Sequence, residues 1–182
     1  KTGIGVFFSD PAGYQNLSLS GGYATEHGSM IGSAYYVYSG IYPYIHLYAV
    51  ADQENYSDLL IDQNTGQRFD YSEDVVQAGT AVEFPYIKME RQISLKLGYE
   101  YTKREVIEET ASAYRNRMLF FDPNPTEEDE GAVWARISYF DGTAFKSSSS
   151  IEDGRYVSIA ADISDDALGG GFDRKRFTSE WR

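Results

Sequence analysis

Residues 91–104, RQISLKLGYEYTKR, decide the fold class of this chain. Ile93, Leu95, Leu97, Tyr99 and Tyr101 alternate with small or polar residues, and this period of two indicates a β-strand with one apolar face. A strand of about ten residues is long for a soluble protein and suits a tilted crossing of a bilayer. The two tyrosines end the apolar row where an aromatic girdle would meet lipid headgroups. On this segment alone, a half-buried strand of a soluble sandwich is an equal alternative.

Similar strand patterns recur along the chain and are separated by turn residues such as Asp, Gly and Pro. We predict nine strands, at residues 1–9, 16–26, 30–40, 44–51, 75–87, 91–104, 131–145, 155–163 and 173–182. Long polar loops are expected near 52–74 and 105–130, where the sequence is acidic and loses its period. Short turns on one side and long polar loops on the other are typical of outer-membrane barrels. We therefore predict an antiparallel transmembrane β-barrel over residues 1–182, rather than a soluble all-β meander.

The composition limits the classes of partner and cofactor that the chain can bind. A net charge of −12 argues against nucleic acid, because phosphate binding needs clustered Lys and Arg. Cysteine is absent, so neither a disulfide nor a thiolate metal site is expected, and no cofactor is predicted. The 16 tyrosines and 10 phenylalanines fit interfacial belts. The chain begins at Lys1 rather than at a methionine, so we expect a processed or excised segment.

A barrel assigns each strand residue to lipid or to the lumen. A Lys or Arg on the lipid face near the bilayer midplane costs about 2–4 kcal/mol, so charged residues should face the lumen. We predict that Leu95→Arg blocks membrane insertion and that Ser94→Arg is tolerated. The residues expected in the lumen are Glu83, Lys96, Glu100, Arg136 and Asp162. Those expected against lipid are Val82, Phe84, Ile93, Leu95, Leu97, Tyr99, Val157 and Ile159. The lumenal charges either pair with one another as structural residues or set the selectivity of a pore.

No catalytic or metal-binding motif stands out in the sequence. His27 and His46, the only histidines, have no acidic partner at a defined spacing, and no Gly-x-Ser-x-Gly motif is present. The segment DQNTG at 62–66 lacks the full ligand order of a calcium loop, and GGG at 169–171 is interpreted as a bend. The acidic runs at 108–109 and 127–130 are interpreted as solvated loop charge. Their alternative role is to bridge lipopolysaccharide through divalent ions.

Both ends of the chain resemble a known family. The opening GIGVFFSDPAGYQNLSLSGGY is similar to the first hairpin of the barrels of the bacterial surface-antigen superfamily. The closing SSSSIEDGRYVSIAADISDDALGGGFDRKRFTSEWR is similar to a later repeat of the same barrels. The family includes outer-membrane assembly factors, two-partner secretion transporters and barrels that follow β-propeller domains. The resemblance implies a barrel of about sixteen strands, so we expect the nine strands to be part of a larger barrel.

These patterns predict a non-enzymatic protein of the cell outer membrane. It would act in membrane anchoring and in protein insertion, secretion or solute passage. Its expected partners are outer-membrane lipid and lipopolysaccharide, with other envelope proteins or soluble accessory domains as further candidates. One alternative is a structural or docking barrel for other envelope proteins, without transport. Another is an outer-membrane hydrolase with its catalytic residues outside this segment.

Overall fold

A computed structural model describes residues 2–24, 29–62, 68–88, 91–106, 118–120, 129–143, 153–171 and 173–182. These residues form strands β1 Thr2–Ser9, β2 Gln15–Ala24, β3 Ser29–Tyr38, β4 Tyr44–Asp62, β5 Arg68–Lys88, β6 Arg91–Val106, β7 Met118–Phe120, β8 Glu130–Thr143, β9 Asp153–Ser164 and β10 Arg174–Trp181, with a 3-10 helix at Asp166–Leu168. The all-β prediction is confirmed. In these parts of the chain, no helix is long and apolar enough to cross a membrane.

Nine of the strands form one antiparallel sheet in the order β1-β2-β3-β4-β5-β6-β8-β9-β10. Each strand pairs with its neighbour in the chain, except that β7 leaves this path and pairs with the far end of β4. Because successive strands reverse direction, β1 and β10 point the same way. Among the described residues, β1 and β10 each have a partner on one side only, so the sheet has two open edges.

The register of the sheet separates an apolar face from a polar face. One row across the strands is Val82, Leu97, Ala135, Ala161 and Phe177. The adjacent row on the other side of the sheet is Ala81, Gly98, Trp134, Asp162 and Arg176. The period-2 alternation of each strand is thus in phase with that of its neighbours, and we call the two sides the apolar face and the polar face.

Burial in this sheet is the reverse of burial in a soluble protein. Among the described residues, the buried hydrophobic side chains are only Val75, Ala81 and Ala132, whereas ten polar or charged residues are buried. Twenty-five large hydrophobic residues are exposed, and nineteen of them lie on the apolar face. Tyr35 on β3 and Thr178 on β10 line the same cavity, so the sheet curves around its polar face.

The predicted loop at 52–74 is wrong for most of its length. β4 continues to Asp62 and β5 begins at Arg68, and their pairing runs without a break from Tyr44–Glu83 to Tyr56–Tyr71. No apolar period marks this extension in the sequence, so the alternation rule does not detect it. Arg104 stabilises it by pairing with Glu73 and, at 3.4 Å, with Glu54.

The other predicted boundaries agree with the structure more closely. The predictions for β1, β2, β3, β6, β8, β9 and β10 match to within two residues at each end. In the predicted loop at 105–130, β6 continues to Val106 and residues 118–120 form β7. Residues 107–117 and 121–128 lie outside the described residues, as do His27, the acidic pair at 108–109 and most of the segment 62–66.

Candidate functional site

The centre of the polar face holds a network around Glu83. Its carboxylate accepts a hydrogen bond from Ser94 Oγ at 2.5 Å and pairs with His46 Nε2 at 2.7 Å and with Lys96 Nζ at 3.2 Å. β4, β5 and β6 bring these groups together, because Lys96 is the direct partner of Glu83 in the register. Glu83 is buried, and one hydrogen bond from Ser94 together with the nearby ammonium of Lys96 compensates the carboxylate for its removal from water.

A second network lies on β8, β9 and β10. Asp162 accepts from Arg176 Nε at 2.8 Å and lies 3.5 Å from Arg174 Nη2. Arg174 also pairs with Glu130, the first residue of β8. The interpretation of 127–130 as solvated loop charge is therefore wrong at Glu130, which is buried because it faces Arg174 on the polar face.

Two aromatic rings on the polar face lie against glycines. A Cβ added at Gly79 would lie 2.4 Å from Cζ of Tyr48, and one added at Gly98 would lie 2.5 Å from Cε2 and Cζ2 of Trp134. Tyr48 also donates to Glu100 and stacks on Tyr35, with ring centroids 6.3 Å apart. The missing side chains leave room for the rings close to the strand backbone.

These groups surround one cavity of about 430 Å³. Its lining combines aromatic rings, small residues and charges of both signs; it includes Tyr48, Lys96, Glu100, Trp134, Arg136 and Arg176. A volume of this size falls in the range of small-molecule sites. The cavity therefore has room for a small polar solute, and its described wall comes from seven strands, β3, β4, β5, β6, β8, β9 and β10.

The structure brings the five residues expected in the lumen to the polar face. Glu83, Lys96 and Asp162 are in ion pairs, and Glu100 accepts a hydrogen bond from the hydroxyl of Tyr48. Arg136 makes no ion pair or hydrogen bond within the described part of the chain. The eight residues expected against lipid share the apolar face; they are Val82, Phe84, Ile93, Leu95, Leu97, Tyr99, Val157 and Ile159. Their assignment to lumen and lipid stays a prediction.

The expectation for Ser94→Arg has to change. Ser94 is 3% exposed and its hydroxyl donates to Glu83. An arginine would not fit this buried position and would displace the donor, so we now expect the substitution to disrupt the network. A position on the polar face tests the face assignment only if it is open to water, as Thr178 is.

Sequence reasoning missed several residues of the site: Tyr48, Trp134, Arg174, Arg176 and the acidic partner of His46. A signal for the two rings was present, because a glycine inside an alternating strand marks a close approach. Gly79 and Gly98 are such glycines. The ion pairs depend on the register between distant strands, which no local pattern contains.

The arrangement of Ser94, Glu83 and His46 differs from that of a catalytic serine site. In a Ser-His-acid triad the histidine lies between the hydroxyl and the carboxylate. Here Glu83 lies between Ser94 and His46. Among the residues that the structure describes, no three His, Asp or Glu side chains are grouped as a metal site requires.

Aromatic residues mark one end of the apolar face. β1, β3, β5, β8 and β10 run in the same direction, and each carries an aromatic residue of the apolar face near its C-terminal end: Phe8, Tyr38, Tyr86, Tyr139 and Trp181. At the opposite end of the sheet, beyond the apolar row of β6, the chain becomes charged. There Lys103 donates to Glu105, and this hydrogen bond raises the pKa of Lys103.

Comparison with protein-family models, with curated proteins and with solved structures found no match to this chain. The structure itself defines the chain as an all-β protein with one antiparallel sheet, whose polar face contains most of the buried residues. The resemblance to surface-antigen barrels stays a prediction from its two terminal segments.

Proposed function

We propose that this chain forms part of the wall of a transmembrane β-barrel in the cell outer membrane of a Gram-negative bacterium. In this role it is not an enzyme. It anchors the protein among lipid and lipopolysaccharide, and it supports solute passage, secretion or protein insertion along its polar face.

The observation that carries this proposal is the reversed burial of the sheet. Leaving a Leu, Ile, Val or Phe side chain exposed to water forgoes about 1.5–3 kcal/mol of burial energy. Nineteen large hydrophobic residues on one side of the sheet have that exposure, whereas the other side buries Glu83, Asp162 and Ser164. Lipid outside and water inside satisfy both faces at once.

The dimensions of the apolar face agree with a bilayer. On β6 the apolar row runs from Ile93 to Tyr101, a span of nine residues. At about 3.3 Å per residue and a tilt of about 40°, this row is about 23 Å tall, close to the apolar band of about 25 Å in known barrels. The aromatic residues at one end, including Tyr86 and Trp181, are of the type that sits at headgroups.

The open edges specify how such a barrel would close. A strand edge has unpaired N–H and C=O groups, and hydrocarbon offers them no partner. β1 and β10 run parallel, so an all-antiparallel wall needs an odd number of further strands between them. This requirement agrees with the prediction of a larger barrel.

The competing explanation is a second layer of protein that covers the apolar face. Two neighbouring residues on β10 separate the explanations: Phe177 lies on the apolar face and is 70% exposed, and Thr178 lies exposed on the polar face. We expect Phe177→Arg to reduce assembly in the outer membrane and Thr178→Arg to leave it unchanged. Assembly is measured by the heat-dependent shift in gel migration and by detergent partition.

The outcomes of this experiment are distinct. Equal effects of the two variants, or a freely soluble wild-type protein, would contradict the membrane proposal. Conductance of the reconstituted protein in planar bilayers then addresses transport, because a silent barrel would retain the anchoring role and lose solute passage.

A further inference from the structure

Among the described residues of the polar face, one cation, Arg136, has no carboxylate partner. Arg136 on β8 is directly opposite Lys96 on β6, and like charges at opposed positions destabilise a sheet. Glu83 neutralises Lys96, but Arg136 has no counter-ion among the described residues. An anion from solution would remove this imbalance.

An indole ring lies beside Arg136 on the polar face. Trp134 is two residues away on the same face of β8, and its indole N–H is buried. The hydroxyl of Tyr48, which donates to Glu100, lies within reach of this N–H and is its acceptor.

Arg136 and Trp134 both border the cavity of about 430 Å³. The carboxylates on its wall are already engaged, because Asp162 pairs with Arg176 and Glu100 accepts from Tyr48. The rest of the wall includes the rings of Tyr35 and Tyr48 and the small side chains of alanines. Flat apolar groups can pack against such a wall.

We propose that this cavity binds a small organic carboxylate with a flat apolar body. The guanidinium of Arg136 pairs with the carboxylate, and the body of the ligand packs against the tyrosine rings beside Trp134. The site rests on the proposed function, since it gives the polar face of the barrel a class of solute.

Benzoate is the test ligand, and Trp134 is the reporter. The chain has two tryptophans, so the detergent-purified Trp181→Phe protein leaves Trp134 as the only fluorophore of its type. We expect benzoate to change the emission of Trp134 with saturation, and neutral benzamide to have no such effect. Arg136→Gln in this background should weaken benzoate binding about tenfold or more, the effect of losing a hydrogen-bonded charge.

Lys175→Gln provides the matched control, because it removes one positive charge from the apolar face of β10. It should leave the affinity for benzoate unchanged. Equal weakening by Arg136→Gln and Lys175→Gln, a response to benzamide equal to that to benzoate, or the absence of saturation would each overturn the site. Heat-dependent gel migration of the same samples reports barrel assembly separately. If the protein assembles but does not bind benzoate, the proposed site is refuted and the proposed function is not. If it binds benzoate without assembling, the proposed function is refuted.

Discussion

The indole ring of Trp134 on β8 lies directly over Gly98, its cross-strand partner on β6. The contact needs a residue without a side chain, since an added Cβ would lie 2.5 Å from two ring atoms and 2.9 Å from the carbonyl oxygen of Thr80. The ring in turn forms part of the wall of the cavity. The lack of a side chain at Gly98 therefore allows the ring to occupy its place in the wall of the candidate site.

Gly98→Ala should move this ring and destabilise the sheet. We expect a loss of about 1–3 kcal/mol in the free energy of unfolding, as for overpacking in a close-packed region. The emission maximum of Trp134 in a Trp181→Phe background should shift as well. Gly21→Ala is the control, because an added Cβ there has no neighbour within 4 Å. Similar losses in the two variants would show that the ring contact has no special role.

Glu83→Gln should be among the most disruptive single substitutions on the polar face. It removes the counter-ion of Lys96 and leaves this cation opposite Arg136. Loss of one partner of a buried pair costs about 3–5 kcal/mol, and we expect about 3 kcal/mol here because Lys96 is partly exposed. Denaturant unfolding in detergent measures this loss.

Two further variants test the cause of that loss. Glu180→Gln removes an exposed ion pair with Arg182 and should cost less than about 1 kcal/mol. Adding Lys96→Met to Glu83→Gln should recover part of the stability, since position 96 then no longer holds a cation opposite Arg136. If the double variant is less stable than Glu83→Gln by the full effect of Lys96→Met alone, the two charges are not coupled.

Part of this arrangement could be predicted from the sequence, because a short turn sets a register. β5 ends at Lys88 and β6 begins at Arg91, so a connection of only two residues limits the register, in which Glu83 is the partner of Lys96. The alternation of β6 was equally informative, since its two faces meet different surroundings. The apolar and polar faces follow from these two facts.

The remainder depends on information that no local pattern holds. The pairing of Lys96 with Arg136 joins β6 to β8 across residues 107–129, and no turn of fixed length sets that register. The extension of β4 to Asp62 has no apolar period in its sequence, so no local pattern predicts it. β7 is only three residues long and is defined by its pairing with β4.

The two tryptophans should report opposite environments. Trp181 lies on the apolar face and is 82% exposed, whereas Trp134 borders the cavity on the polar face. In vesicles that contain brominated lipid, we expect strong quenching of Trp181 in a Trp134→Phe background and little quenching of Trp134 in a Trp181→Phe background. Quenching of both residues to the same extent would contradict a lipid-facing and a water-facing side.

The pairing of β6 with β8 can be tested by cross-linking, because the chain has no native cysteine. Leu97 and Ala135 are direct partners, and Cα atoms of such partners are about 4.5–5.5 Å apart, within the range of a disulfide. We expect the Leu97→Cys/Ala135→Cys variant to form an intramolecular disulfide on mild oxidation. Leu97→Cys/Val133→Cys is the control, since Val133 is the partner of Tyr99 and its diagonal distance to position 97 is about 7–8 Å. Gel migration of the denatured, unreduced protein detects the bond. Equal yields in both variants would mean that β8 slides along β6, and the opposition of Lys96 and Arg136 would then not be fixed.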